Sequence, residues 1–267
     1  MDANSIVQQV ADLLWEQLSS GQTCAPVRLL IGETDIRAAY EAQHINTKRR
    51  EQRGESIVGA KIGLTSFAVQ KQLGVDQPDY GMLTDKMQVF EGHAIPWNEL
   101  FQPKAEMEMG FILKKDIDGM DITMEVLEDA IEAVVPSIEI VGSRISDWNI
   151  RITDTIADNA SASHFIIGDP IKNWKEIDLA ACSMQMTRAG KVVSEGTSAA
   201  CMGNPLNATL WLAKTMADLG TPLRAGYIIL SGALGPLVNV EPGDIIEGSI
   251  EGIGSINVSF GIADEKG

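Results

Sequence analysis

The stretch Ala105-Glu106-Met107-Glu108-Met109-Gly110-Phe111-Ile112-Leu113 opens on alternating acidic and apolar residues and closes on an apolar run. The apolar continuation marks a strand. Side chains in a strand repeat every two residues, so Glu106 and Glu108 project from one face. Two like charges side by side are unfavourable without a cation or a shared proton. Taken alone, the pair is most simply a solvated acidic edge strand. A second stretch changes that balance. In Pro136-Ser137-Ile138-Glu139-Ile140-Val141 a lone carboxylate stands in an otherwise apolar strand, and burying it without a partner is very costly. Three carboxylates with no His or Cys nearby suit a hard divalent ion, Mg2+ or Mn2+, rather than zinc.

Outward from these strands, the chain from Ile57 on is a series of short β-rich runs punctuated by Gly, Pro and Asp. Val58–Ile62, Met107–Leu113, Ser137–Ile140, His164–Ile167, Ile228–Leu230 and Ile245–Ile250 are the clearest. Before them, Ile6, Val10, Leu13, Leu14 and Leu18 recur at helical spacing over residues 4–20 and stop at Gly21. A second helix is predicted over 34–53, with Thr34 or Asp35 as N-cap and Gly54 as the stop. Its Lys48-Arg49-Arg50 run lies near the negative end of the helix dipole. Two further helices are predicted within the β-rich part. One covers 124–134; the other starts at Asn204 (cap) and Pro205 and ends at Gly220. The order predicts an α+β fold, with a smaller helical N-terminal part over 1–75 and a β-rich catalytic domain over 76–267.

Composition narrows the function. The 267 residues hold 21 Lys+Arg against 37 Asp+Glu, a net charge of −16. A nucleic-acid binder needs a cationic stripe to displace counterions, so that class is disfavoured, while a cation site is not. Cys24, Cys182 and Cys201 are scattered, an odd count that fits a reduced, cytoplasmic protein better than a disulfide scaffold. The first residues carry no signal-peptide pattern, and no apolar run approaches the ~18 residues of a membrane span.

Three other segments are candidates for chemistry. In Val58-Gly59-Ala60-Lys61-Ile62-Gly63 a lysine sits among small and apolar residues, flanked by glycines that let another group approach closely; alone it reads as a snorkelling surface lysine. Gln77-Pro78-Asp79-Tyr80-Gly81 is a turn by composition, with Asp79 as turn former. The polar run Thr153–Ser161 is either an active-site loop or an Asx-rich connection. His44 and His93 fall in a helix and a turn-like stretch, His164 near that polar run, and Cys201 reads as a packed thiol.

Taken together and in order, GAKIGLTS around Lys61, QLGVDQPDYGML, the Glu106/Glu108 pair, PSIEIVGSRISDW, DTIADNASA, GNPLNATLWLA, LSGALGPLV and PGDIIEGSIEGIGSI carry a resemblance. From about Ala25 to Ile262 the chain resembles the 2-hydroxypenta-2,4-dienoate (2-keto-4-pentenoate) hydratases of aromatic meta-cleavage pathways. These form part of the hydratase/decarboxylase branch of the fumarylacetoacetate hydrolase superfamily. The resemblance implies Glu106, Glu108 and Glu139 as metal ligands, Lys61 and Asp79 as catalytic residues, and Leu83, Asp158 and Ser161 along the substrate pocket. It also implies a mixed, rolled β-sheet core with helices outside, and a large homo-oligomer, often a decamer in the family. Two loops favour the five-carbon substrate over those of sister families. Ser231–Pro236 lacks the GGATAA-like sequence of 4-oxalocrotonate decarboxylases, and Arg144 to Asp154 is compact.

The chemistry so implied is addition of water to a dienol carboxylate, giving 4-hydroxy-2-oxopentanoate. The dienol ketonises by protonation at C5, water adds at C4 with the enolate as electron sink, and C3 is protonated. A divalent ion stabilises charge at the C2 oxygen. Lys61 delivers the proton or pairs with the substrate carboxylate, and Asp79 orients Lys61 or activates water. The alternatives are a 2-oxo-3-enedioate decarboxylase, an acylpyruvate-type C–C hydrolase, whose usual His–Glu pair is not apparent, and a non-catalytic partner of a pathway decarboxylase or aldolase.

Overall fold

In the computed structural model, which describes residues 3–67, 70, 77–119 and 121–262, the N-terminal helices form as their sequence dictates. Helix α1 (Ala3–Ser20) buries Val7, Val10, Ala11 and Leu14. After the short α2 (Arg28–Ile31) comes α3 (Ile36–Gln52), capped by Asp35, whose side chain accepts the Ala38 N–H at 3.0 Å. Gly54 follows the last turn at φ 89°, a conformation glycine adopts freely.

Strands β1 (Ile57–Gly63), β2 (Asp79–Thr84), β3 (Ala94–Ile95) and β4 (Lys104–Leu113) come next. Helix α4 (Met124–Ala130) leads into β5 (Ile131–Val141). Helix α5 (Ile152–Ala157), β6 (Ala162–Ile167), β7 (Ser183–Arg188), β8 (Lys191–Thr197) and α6 (Pro205–Asp218) follow. Strands β9 (Ile228–Ala233), β10 (Val238–Asn239), β11 (Ile245–Ile250) and β12 (Gly254–Phe260) complete the described elements.

Among the described residues these strands make two mixed sheets. One is seven-stranded, in the order β2-β1-β9-β4-β5-β6 with β10 also paired to β4; the other runs β3-β12-β11-β7-β8. β1 and β9 are parallel and the remaining pairs of the larger sheet antiparallel. The expected α+β architecture, with a helical N-terminal part and a curled mixed sheet, is what the chain adopts.

Each strand of the larger sheet presents two faces. Ala60, Ile62, Tyr80, Met107, Met109, Phe111, Ile138, Ile140 and Ile229 turn into the main core, against Ile246, Ile256 and Val258 of the second sheet. Gly248 makes that contact possible, since a Cβ there would lie 2.4 Å from Met107 Sδ. The opposite face, at the intervening positions, carries Lys61, Asp79, Glu106, Glu108 and Glu139. A smaller cluster from α1, α2, α3 and α5, including Val10, Ala39, Ala42 and Ile156, packs the helical part around Ile145. β1 lies before residue 75 yet belongs to the sheet, paired with β2 and β9. No helix among the described residues is long and apolar enough to cross a membrane.

Two local expectations are corrected. The helix predicted to Val134 stops at Ala130, because Ile131, Val134 and Val135 are β-branched and pair with Leu113, Phe111 and Gly110 of β4. Asp79 is not in a turn: it opens β2 opposite Gly63. Residues 71–76 of the QLGVDQ segment lie outside the described residues. The cap at Asn204 forms as expected, its side chain accepting the Leu206 N–H at 2.9 Å ahead of Pro205.

Candidate active site

Strand pairing assembles the carboxylates. Glu106 of β4 lies directly opposite Glu139 of β5, and Glu108 opposite Ser137, so the three glutamates share one face of two neighbouring strands. Across β9, Lys61 of β1 sits beside Leu230 and opposite Gly81. Asp79 reaches the same face opposite Gly63. A Cβ at Gly63 would stand 2.2 Å from Asp79 Oδ1 and 3.6 Å from Lys61 Nζ, so this glycine makes room for both.

One carboxylate oxygen each from Glu106, Glu108 and Glu139 lies within 4.8 Å of the other two. Glu108 and Glu139 are 0% exposed and Glu106 only 7%. Glu108 Oε2 accepts the Gly232 N–H at 2.9 Å. Glu108 Oε1 and both oxygens of Glu139 have no hydrogen-bond donor among the described residues. Buried carboxylate oxygens seldom go unsatisfied. Here they converge on one another, the arrangement a hard cation with oxygen ligands requires. A divalent ion together with the Lys61 ammonium would match the charge of the three glutamates. On this donor set the residues fit Mg2+ or Mn2+.

Lys61 is no snorkelling surface residue. It is 2% exposed, its Nζ donates to the Ala160 carbonyl at 2.9 Å, and Glu139 Oε2 is 3.3 Å away. Burial opposes its charge, but Glu139, Glu106, Asp79 and Glu108 more than offset this and hold its pKa above the usual lysine value. Burial pushes Glu139 up to about 8 despite the nearby Lys61, and Asp79 up to about 6. Glu106 and Glu108 are likewise raised, chiefly by burial. A bound cation acts the other way, favouring the ionised carboxylates.

The other pocket candidates separate. Leu83 lies two residues beyond Gly81 on the site face of β2, buried with Phe165, Ile228 and Leu230 in an apolar cluster beside the charged row. Ser161 is buried, its hydroxyl 3.3 Å from that of Thr155. Asp158 is also buried, but Arg144 engages it, through an ion pair from Nε and a backbone N–H to Oδ2 at 2.9 Å. The run Thr153–Ser161 is a short helix ending in a tight turn that faces Lys61. His164 lies on β6, its Nε2 3.6 Å from Glu99, with burial lowering its pKa. Cys201 is a buried thiol donating to the Ser231 carbonyl.

Sequence reasoning passed over the Ala160 carbonyl and the Gly232 amide. Both act through the backbone, which leaves no residue-type signature. The one available signal was Gly232 itself, at φ 107° and pressed against Thr65.

Residues 60–260 match the family described as Fumarylacetoacetate (FAA) hydrolase C-terminal. The chain is 53% identical over 254 residues to the TodF product hydratase of Pseudomonas putida, covering 95% of each chain. It is 48% identical over 253 residues to a 2-keto-4-pentenoate hydratase of Paraburkholderia xenovorans, covering 95% of this chain and 94% of the relative. Among solved structures it is similar to 4-oxalocrotonate decarboxylase from Pseudomonas putida G7, complexed with magnesium and adipate. That likeness has a TM-score of 0.91 and 31% identity, over 97% of this chain and 98% of the other.

Proposed function

Since the chain belongs to the fumarylacetoacetate hydrolase family, we propose that it is a divalent-metal-dependent hydro-lyase that adds water to 2-hydroxypenta-2,4-dienoate, giving 4-hydroxy-2-oxopentanoate. The observation that carries hydration over decarboxylation is the far higher identity to relatives named as hydratases than to the decarboxylase.

Glu106, Glu108 and Glu139 hold the ion, with Mg2+ and Mn2+ as the fitting choices. When bound, it supplies Lewis-acid stabilisation of charge on the C2 oxygen of a 2-oxo acid. The chain's own groups do the rest. Lys61, kept as an ammonium, donates a proton from Nζ to C5 and regains one from the C2 enol O–H, and it holds the anionic substrate in place. Asp79, with neither oxygen hydrogen-bonded among the described residues and a pKa near 6, accepts the proton of the attacking water. That proton then returns to the substrate at C3. Leu83, Phe165 and Leu230 supply the apolar wall suited to the hydrocarbon part of a dienoate, and Ser161 the polar edge. Asp158 acts indirectly, through the turn it forms with Arg144.

The test is incubation of the purified protein with freshly generated 2-hydroxypenta-2,4-dienoate and Mg2+ or Mn2+. Loss of dienol absorbance with formation of 4-hydroxy-2-oxopentanoate, abolished by EDTA, is the expected result. Carbon dioxide release from 4-oxalocrotonate without hydration of the dienoate would favour the decarboxylase reading, which the 0.91 TM-score to such an enzyme keeps in view.

A further inference from the structure

Asn159, Ala160 and Ser161 occupy the left-handed region in succession, at φ 57°, 49° and 57°, although none is glycine. A single such residue is uncommon, and backbone of this kind persists only where its surroundings over-determine it. The surroundings here are specific. Among the described residues β2 is the outer strand of its sheet, so the Met82 N–H and C=O turned away from β1 have no described strand to pair with. The Asn159 carboxamide meets both: Oδ1 accepts the Met82 N–H at 2.8 Å, and Nδ2 donates to the Met82 carbonyl at 2.9 Å. Gly81 permits the approach, since a Cβ there would lie 2.2 Å from the Asn159 carbonyl oxygen. On either side, Arg144 holds Asp158, and the Gly142 N–H donates to the Ser161 carbonyl at 2.8 Å.

The product of this strained turn is one vector: the Ala160 carbonyl aimed at Lys61 Nζ, 2.9 Å away. An ammonium has three protons. Ala160 takes one; Glu139 Oε2, at 3.3 Å, is an ion-pair partner without hydrogen-bond geometry. Among the described residues Nζ makes no other hydrogen bond, so its remaining protons are available to substrate.

We propose that Asn159 is a positioning residue for Lys61: its carboxamide clamps the free edge of β2 and thereby holds the Ala160 carbonyl that fixes the direction of the Lys61 ammonium. This rests on the reading of Lys61 as the group that acts on substrate.

The experiment compares Asn159→Ala with wild type and with Asp35→Ala, a helix-cap variant remote from the site that lowers stability alone. Steady-state kinetics, Mn2+ titration and a crystal structure are the readouts. Asn159→Ala is expected to lower kcat about 10- to 100-fold, as a displaced catalytic group does, with Mn2+ affinity unchanged and Lys61 Nζ moved off the residue-160 carbonyl. Unchanged kcat, or a loss of Mn2+ affinity alongside that of kcat, would overturn the proposal. Gly81→Ala, which pushes on the turn from β2, should reproduce the same split. If Asn159→Ala does not fold, Asn159→Asp, which keeps the acceptor and loses the donor, carries the test. A wild-type enzyme inactive on the dienoate would refute the functional reading instead, leaving the crystal structure to judge the clamp.

Discussion

Glu139 has neither solvent nor, among the described residues, a hydrogen-bond donor on its oxygens, so Lys61 at 3.3 Å and a cation among the three glutamates are what meet its charge. The two partners can be removed separately. Glu106→Gln keeps the shape of the side chain but removes one negative ligand. Loss of a mere outer-shell partner costs 10- to 100-fold in metal affinity, so loss of a ligand should weaken Mg2+ at least about 100-fold. Calorimetric titration checks this, and unchanged affinity with full activity would show that Glu106 is not a ligand. Lys61→Met takes away the proton donor and also a like charge from beside the cation. It should lower kcat by about 10²- to 10⁴-fold without weakening Mg2+ binding. A Lys61→Met variant that binds Mg2+ poorly but turns over normally when saturated would reverse the two roles.

At the level of elements, two pairings create the site: β4 with β5, and β1 with β2. Each brings together residues that sequence reading had found singly. The Glu106 and Glu108 alternation and the lone Glu139 in an apolar run were legible because strand periodicity and the cost of a buried charge are local rules. That Glu106 faces Glu139 was not, since register between strands separated by a helix is set by the whole sheet. Asp79 read as a turn former because Pro78 and Gly81 flank it, and only pairing with β1 shows these residues as a strand start and a close approach. The Thr153–Ser161 turn was ambiguous for a related reason: its left-handed residues include no glycine to announce them. Gly63 is the sharpest test at this scale. A methyl group there would overlap Asp79 Oδ1, 2.2 Å away, and crowd Lys61. Gly63→Ala should cost about 1–3 kcal/mol of stability, in the range of overpacked sites, and reduce kcat more than a surface variant of equal melting temperature. Full activity at a lowered melting temperature would separate Asp79 from the chemistry.

For the whole molecule, the surplus of 16 negative charges is partly an interior feature, since Asp79, Glu106, Glu108 and Glu139 are all buried. Stability should therefore depend on pH in the direction opposite to that of a protein held by surface ion pairs. Burial raises Glu139 from 4.5 to about 8 and Asp79 from 3.8 to about 6. Between the lower and upper values the folded, metal-free protein retains protons that the unfolded chain has already released. The stability these two groups contribute is then fully present below about pH 4 and is lost as pH rises through these raised values. Lys61 stays charged throughout, so it does not cancel the slope. A divalent cation binds the ionised carboxylates and competes with the same protons, so its stabilisation grows as pH rises. At a hundred times its Kd a ligand adds about 2.7 kcal/mol, or about 5–10 °C for a chain of this size. The expected outcome is a metal-free melting temperature that falls from pH 5.5 to pH 8 and a Mg2+-induced rise that is larger at pH 8. Melting curves across that range, with EDTA or with saturating Mg2+, decide it. A metal-free protein that grows more stable toward pH 8, with a Mg2+ effect independent of pH, would mean that the buried glutamates are not where the cation and the protons compete.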